Sequence, residues 1–268
     1  MGGDVSALQI STRRHKRRVF RFMRPSRNLE VLSAQRSMMK QLPFKPEAVL
    51  FDMDGLIFDT EALYRDAVIM AAKENGFEIP VSVYLETVGL PSTSARALLG
   101  MHLGGEFPIE DLWKQASDRF QTMVATELRL KPGVIEILDW LEEIQLPWAI
   151  VTSSDHDTVL SHLLAANLKD RFVHIIARGD YAAAKPHPEP YLKATSRLGV
   201  NPSRCVALED SHNGVLSASR AGLMTIMVPD LVQPTPDIEN LCAYVAPDLH
   251  DVLAVLIDRL RTLGDLDS

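Results

Sequence analysis

Short apolar runs that each end in polar or acidic residues are the feature that most constrains how this chain can fold. Five such runs occur, most of them separated by amphipathic stretches of helical length, and they cover residues 48–51, 148–151, 173–176, 205–208 and 224–228. Strands buried on both faces have this pattern, and their alternation with helices is typical of βαβ units. The sequence therefore predicts an α/β protein with a Rossmann-like parallel sheet.

One long segment, residues 60–130, interrupts the alternation. Its apolar spacing predicts three helices, at 61–74, near 93–102 and at 109–127. The segment is too long and too ordered for a loop. We therefore predict a helical cap at 60–130, inserted into a Rossmann-like core made of residues 45–59 and 131–268. Insertion after the first strand would place the cap over the carboxyl edge of the sheet, where open α/β sheets bind ligands.

The N-terminal segment, residues 1–44, differs in charge from the rest of the chain. Ten Lys and Arg against two acidic residues give it a charge of +8, and the remainder carries −15. The acidic remainder would repel polyanions, which excludes nucleic acid as a partner of the core domain. The segment is interpreted as a disordered arm for an acidic partner, a targeting peptide, or translated sequence ahead of a start at Met38 or Met39. We favour the last, which makes the extension disordered or not native, because sustained apolar periodicity is missing.

The composition limits the class of protein and the cellular compartment that the chain suits. Hydrophobic residues make up 46% and charged residues 24% of the chain, which suits a globular protein. No stretch approaches the ~18 consecutive apolar residues that a membrane span needs, so no membrane partner is expected. Cys205 and Cys242 make no disulfide framework, which favours a reducing compartment. We expect a cytoplasmic protein and favour a monomer, although the sequence does not fix the oligomeric state.

Polar side chains collect at the ends of the predicted strands. They are Asp52, Asp54, Thr152, Ser153, Glu209 and Asp210, with Lys185 on a loop. Because the carboxyl ends of neighbouring parallel strands meet at one edge, we expect these residues to converge. Four carboxylates in a small space repel one another strongly unless a cation lies among them, and oxygen ligands suit Mg²⁺. The four acidic residues are therefore candidate Mg²⁺ ligands.

This set of residues could act on a phosphate ester. A lysine and hydroxyl donors beside Mg²⁺ form a phosphate clamp. An aspartate that faces the phosphorus can attack it and form an aspartyl-phosphate. A second aspartate two residues later can protonate the leaving oxygen and then take a proton from water. Each piece alone is more often a turn, a helix cap or a surface lysine, but their joint occurrence at strand ends favours the functional interpretation.

Four motifs carry a family resemblance. They read DMDGLIFDT at 52–60, VTSS at 151–154, KPHP at 185–188 and LEDS at 208–211. Over roughly 46–262 they resemble the haloacid dehalogenase superfamily. The similarity is closest to its branch with a helical cap, which holds β-phosphoglucomutases, phosphoglycolate-type phosphatases, pseudouridine-5′-phosphatase and sugar-phosphate phosphatases.

The resemblance implies a role for each motif. Asp52 would be the nucleophile and Asp54 the acid and base, while Thr152 and Lys185 would hold the phosphoryl group. The expected phosphate site also includes Gly55 and Ser153. The expected Mg²⁺ ligands are Asp52, the main-chain carbonyl of Asp54 and Asp210, with Glu209 nearby or acting through water. Dehalogenases of the superfamily lack the second aspartate, so Asp54 favours phosphoryl chemistry.

We therefore predict a Mg²⁺-dependent phosphatase of a small phosphorylated metabolite, with an aspartyl-phosphate intermediate. A β-phosphoglucomutase-like mutase is the first alternative. Those mutases carry a histidine where this chain has Tyr64, and an arginine three residues after a cap-loop glycine where this chain has Ser92. A non-catalytic phosphometabolite-binding protein is the second alternative, and the intact set of catalytic residues argues against it.

Overall fold

The computed structural model describes residues 44–88, 90, 92–104 and 109–264. The interpretations of the basic segment 1–44 therefore lie, apart from its last residue, outside the described residues. Within the described part of the chain, no helix combines the length and the apolar character that a membrane crossing requires.

Six parallel strands form one sheet in the order β3-β2-β1-β4-β5-β6. Their bounds are β1 Ala48–Phe51, β2 Trp148–Asp155, β3 Ile175–Arg178, β4 Cys205–Glu209, β5 Met224–Met227 and β6 Tyr244–Val245. Strand β1 lies between β2 and β4 and is buried along its whole length, as its unbroken apolar run predicts. The predicted fold class is confirmed.

The strands β4 and β5 differ from the prediction by one residue each at their ends, and three larger differences occur elsewhere. Strand β3 begins at Ile175 and not at residue 173, because Val173 is 82% exposed and does not pair. Strand β2 continues past its apolar run to Asp155, with a register shift against β3. The two-residue edge strand β6 was not predicted, because it is too short and too half-buried to show a strand pattern.

Helices connect the strands and fill the long insertion. Their bounds are α1 Thr60–Glu74, α2 Val81–Leu85, α3 Ser92–Leu103, α4 Ile109–Glu127, α5 Val134–Glu143, α6 His156–Ala165, α7 Glu189–Leu198, α8 His212–Arg220, α9 Pro236–Leu241 and α10 Leu249–Gly264. The three helices predicted for the insertion are present as α1, α3 and α4. Helices α2 and α9 were missed, because five or six residues are too few to show a helical period.

Two separate hydrophobic clusters support the sheet and the inserted helices. One joins strand residues such as Leu50 and Val151 to Tyr191 of α7. The other joins α1 to α2, α3 and α4 through residues that include Val68, Leu99 and Leu112. The insertion therefore has apolar packing of its own. Its boundaries as a cap domain, 60–130, remain a prediction.

Candidate active site

Asp52 directly follows β1, the central strand. Its backbone N–H donates to the carbonyl of Leu208 on β4, which holds the start of the loop against the neighbouring strand. Gly55, three residues later, adopts a φ of +84°. A Cβ atom there would lie 2.3 Å from a carboxylate oxygen of Asp210. The turn therefore needs glycine both for its backbone conformation and for the close approach of Asp210. The Gly55 N–H donates to the carbonyl of Phe58.

Lys185 reaches Asp52 from the loop before α7. Its Nζ lies 2.5 Å from Asp52 Oδ1, 2.6 Å from Glu209 Oε1 and 2.8 Å from the carbonyl oxygen of Val151. Its side chain is 5% exposed. Burial alone would lower the pKa of Lys185, but the carboxylates of Asp52 and Glu209 outweigh it and raise the pKa. The lysine is therefore a fixed positive charge beside Asp52.

Glu209, the last residue of β4, is fully buried beneath the site. Its Oε1 accepts hydrogen bonds from Lys185 and from the hydroxyl of Tyr191, which lies 2.6 Å away. Helix α8 passes directly behind it, so a Cβ atom at Gly214 would lie 1.8 Å from Glu209 Oε2. These contacts leave the carboxylate one position, from which it orients Lys185.

Three acidic residues of the site could hold a metal ion. One carboxylate oxygen from each of Asp52, Glu209 and Asp210 lies within 4.8 Å of the other two. Burial raises the pKa of Asp52 to about 7, with Lys185 opposing and Glu209 adding to the rise. Burial, together with Asp52 and Glu209, raises the pKa of Asp210 well above its usual value. Buried carboxylates that repel one another and offer only oxygen atoms fit a divalent cation.

The side chain of Asp54 is not part of this group of three close carboxylates. Its Oδ2 accepts a hydrogen bond of 2.7 Å from the hydroxyl of Ser154, and its Oδ1 lies 3.7 Å from Nδ1 of His162. The backbone N–H of Ser154 in turn donates to Thr152 Oγ1. The end of β2 therefore orients Asp54, while its side chain remains 28% exposed.

A cavity of about 470 Å³ opens above these residues. The lining includes six of the eight predicted site residues: Asp52, Asp54, Thr152, Ser153, Lys185 and Asp210. The other two, Gly55 and Glu209, lie beneath it and shape it through Asp210 and Lys185. The inserted helical segment contributes Glu61 and Val88 to the lining.

Sequence reasoning missed several residues of the site, among them Ser154, Tyr191, His162 and Glu61. Ser154 stands inside a quoted motif, and its place two residues after Thr152 could have identified it. Tyr191 and His162 carry no local signal, since each lies within a helix whose apolar or polar pattern explains it equally well. Glu61 directly follows the motif at 52–60, but that position does not indicate that its side chain lines the cavity. Their roles depend on what packs against them in the fold.

The fold and the site together define an α/β enzyme, with a carboxylate-rich cavity at the carboxyl edge of its parallel sheet and residues of the inserted helical segment in the cavity lining. Residues 49–228 match the family model described as haloacid dehalogenase-like hydrolase. The chain belongs to this family, and the predicted superfamily is confirmed.

Individual relatives agree with this assignment. YhcW of Bacillus subtilis is 33% identical over 217 residues, which cover 81% of this chain and 98% of YhcW. The phosphorylated carbohydrates phosphatase of Thermotoga maritima is 31% identical over 180 residues, which cover 67% and 83% of the two chains. The crystal structure of CbbY from Rhodobacter sphaeroides with phosphate has a TM-score of 0.63 and 27% identity, over 79% of this chain and 99% of CbbY.

Proposed function

We propose that this chain is a Mg²⁺-dependent phosphatase that releases inorganic phosphate from a small phosphorylated metabolite through an aspartyl-phosphate on Asp52. The observation that carries the proposal is the position of Asp52. It lies on the floor of the cavity, ion-paired with the buried Lys185 and next to acidic residues that fit a divalent cation. The phosphatase name of the Thermotoga relative supports the same class of reaction.

In the first half of the reaction, a carboxylate oxygen of Asp52 attacks the phosphorus atom. The bond from phosphorus to the ester oxygen breaks, and Asp54 donates a proton to that oxygen, so that an alcohol leaves. Asp54 is suited to this role because the Ser154 hydroxyl orients its carboxyl group while one face stays open to the cavity. Lys185 and Thr152 hold the phosphoryl oxygens in this proposal.

In the second half, water attacks the phosphorus of the aspartyl-phosphate. Asp54, now ionised, takes a proton from that water, and the bond between phosphorus and Asp52 breaks. Inorganic phosphate leaves, and both aspartates return to their starting protonation states. One residue can serve as acid and then as base because it faces the same position on the cavity floor in both halves.

The acidic cluster is proposed as the magnesium site. Asp52, Asp210 and the main-chain carbonyl of Asp54 would hold the ion, with Glu209 nearby or acting through water. When bound, Mg²⁺ supplies positive charge that offsets the repulsion between the carboxylate nucleophile and the phosphate dianion. The raised pKa values of Asp52 and Asp210 support this proposal, because burial and then the neighbouring carboxylates disfavour their ionised forms, which a bound cation would stabilise.

The inserted segment, residues 60–130, is proposed as a cap that closes the cavity over the core formed by 45–59 and 131–268. Its contribution of Glu61 and Val88 to the lining supports this role. Closure would limit access of water and bring the leaving group against the cap.

Tyr64 favours a phosphatase over a mutase. This residue stands where β-phosphoglucomutases carry a histidine, but its ring packs edge-on against Phe120 at 5.4 Å and is absent from the described lining of the cavity. The mutase reaction needs groups that hold the sugar in the site while the sugar reorients between two phosphoryl transfers. An aromatic ring committed to the packing of α1 against α4 does not supply such a group.

An assay of a generic phosphomonoester tests the proposed function. We expect the purified chain to hydrolyse para-nitrophenyl phosphate with added Mg²⁺, to lose at least about a hundredfold in rate with EDTA, and to recover when Mg²⁺ is restored in excess. Circular dichroism before and after chelation controls for unfolding. Hydrolysis that is indifferent to EDTA would remove the metal from the proposal, and no hydrolysis with any divalent ion would overturn it.

A further inference from the structure

We infer that Glu61 selects substrates whose leaving group is an uncharged, hydroxyl-bearing carbon chain, and excludes those whose leaving group carries a second anion. The inference rests on the proposed phosphatase function, because it assigns the part of the substrate that Asp54 would protonate. It names a specificity-determining residue that none of the four sequence motifs brought into the site.

The position of Glu61 is the first observation. It is the second residue of α1, where the inserted helical segment begins, and it lines the cavity together with Asp54 and Val88. The carboxyl group of Glu61 interacts electrostatically with those of Asp54 and Asp230. Burial, then Asp54 and then Asp230, raise the pKa of Glu61 to about 7. A further negative charge brought into this space would be repelled by Glu61 and Asp54, while the ion pair with Lys131 offsets the charge of Asp230.

The second observation is the lack of a cation for a second anion. Among the described residues that line the cavity, Lys185 is the one Lys or Arg, and the proposed function already assigns its charge to Asp52 and the reacting phosphoryl group. Nε2 of the lining residue His212 lies 3.0 Å from the carbonyl oxygen of Gln233.

Two further basic residues, Lys131 and Arg96, form ion pairs with acidic residues. Lys131 lies 2.7 Å from Asp230. Arg96 on α3 lies 2.5 Å from Glu110, and its guanidinium carbon stacks over the ring of Trp113, 5.4 Å from the ring centroid. Neither is part of the described lining. A bisphosphate or a phosphorylated acid would therefore bring a charge that the cavity does not neutralise.

The remaining lining suits a polyol or sugar. A carboxylate accepts hydrogen bonds from hydroxyl groups, and a neutral carboxyl group can also donate one. Val88, Leu231 and Val232 offer apolar contact to a carbon chain, while the side chain of Asn213 can pair with further hydroxyls. Glu61 thus combines attraction for hydroxyl groups with repulsion of anions, the two elements from which specificity is built.

A matched pair of substrates tests the inference. Glycerol 3-phosphate and 3-phosphoglycerate share a carbon frame and differ in whether the distal carbon is a hydroxymethyl group or a carboxylate. With Mg²⁺ and the full chain, we expect kcat/KM for glycerol 3-phosphate to exceed that for 3-phosphoglycerate by at least about a hundredfold. In Glu61→Gln, which keeps the shape and removes the charge, we expect this ratio to fall to about tenfold or less, mainly through a lower KM for 3-phosphoglycerate. The exposed cap residue Glu78 provides the control, since Glu78→Gln should keep the wild-type ratio.

Each outcome decides a different point. A wild-type ratio near one, or in favour of 3-phosphoglycerate, would overturn the substrate class without any variant. A large wild-type ratio that Glu61→Gln leaves unchanged would overturn the role of Glu61. Glu61→Asp, which keeps the charge, should retain the discrimination and serves if the glutamine variant does not fold. Failure to hydrolyse either substrate or para-nitrophenyl phosphate would overturn the proposed function itself, a result distinct from hydrolysis without discrimination.

Discussion

Glu209 shows how a single buried residue sets the geometry of the site. Its carboxylate accepts from Lys185 and Tyr191 and has no exposure to solvent. Removing one partner of a buried ion pair leaves an uncompensated charge, which is strongly destabilising. The pair of Lys185 and Glu209 is therefore better understood as a device that fixes the lysine beside Asp52 than as a source of net stability.

Gly214 is expected to protect that geometry. Gly214→Ala places a Cβ atom 1.8 Å from Glu209 Oε2, so either the carboxylate or helix α8 must move. We expect a loss of about 2 kcal/mol in the free energy of unfolding, measured by urea titration. We also expect a fall of roughly a hundredfold in kcat, because Lys185 would follow Glu209 out of position.

Gly100 provides the matched control for Gly214, since it also lies within a helix. A Cβ atom there meets nothing within 4 Å. Gly100→Ala should leave kcat unchanged and stabilise the protein by up to about 1 kcal/mol through helix propensity. Equal behaviour of the two alanine variants would contradict the proposed role of Gly214.

At the residue scale, the sequence predicts the groups that carry charge but not the groups that orient them. Asp52, Lys185 and Asp210 stand in motifs that their residue types and their order along the chain identify. Tyr191 and Glu61 reach the site from helices, and their positions depend on how those helices pack against the sheet. The pattern of residues within a helix indicates which face is buried, but it does not indicate which active-site group that face will meet.

At the scale of elements, the order of the strands brings the motifs together. Because β1 lies between β2 and β4, Asp52 is flanked by Thr152 on one side and Glu209 on the other. The extension of β2 to Asp155 brings a further acidic residue to the start of α6. The side chain of Asp155 accepts a hydrogen bond from the backbone N–H of Thr158. It also forms an ion pair with Arg178 at the end of β3.

Asp155, the N-cap residue of helix α6, makes a pH-dependent contribution to the free energy of unfolding. Hydrogen bonds from the backbone N–H and the side chain of Thr158, and then from Arg178, lower the pKa of Asp155 from 3.8 to about 2. Because the folded state holds the proton less tightly than the unfolded state, the contribution is complete above pH 3.8 and is lost as the pH falls toward 2. Asp155→Ala should therefore lower the urea midpoint at pH 7, and its difference from wild type should shrink as the pH falls below 4.

Asp157 serves as the control for the N-cap residue Asp155. Asp157 lies in the first turn of the same helix and is exposed, but it does not cap it. Asp157→Ala should have a smaller effect on the midpoint at pH 7. If the effect of Asp155→Ala persisted undiminished at pH 3, the assignment of Asp155 as an ionised cap would be wrong.

Element boundaries were predicted where one physical signal dominates. The buried central strand β1 has the predicted bounds because burial on both faces leaves only apolar residues in it. Strand β3 was misplaced by two residues because Val173 is apolar yet exposed. Helix α4 has the predicted bounds because nineteen residues give several turns of amphipathic pattern.

At the scale of the whole molecule, the inserted segment and the carboxyl edge of the sheet line the same cavity. The cavity lies where the central strands end, and the inserted segment supplies the groups on its far side. The chemistry of the floor was predictable from motifs shared across a family. The proposed selection of the leaving group was not, because it depends on Glu61 and on the ion pairs that engage Lys131 and Arg96, residues distant from one another in the chain.

Trapping the phosphorylated enzyme tests the central claim most directly. Rapid acid quenching during turnover, followed by peptide mass spectrometry, should find one phosphoryl group on the peptide that contains Asp52 and should find it removed by hydroxylamine. Asp52→Asn should form no such adduct and should lose turnover while keeping the wild-type circular dichroism spectrum, whereas Asp118→Asn on the exposed surface of α4 should behave as wild type. Turnover retained by Asp52→Asn, or a phosphoryl group trapped on another residue, would contradict the account.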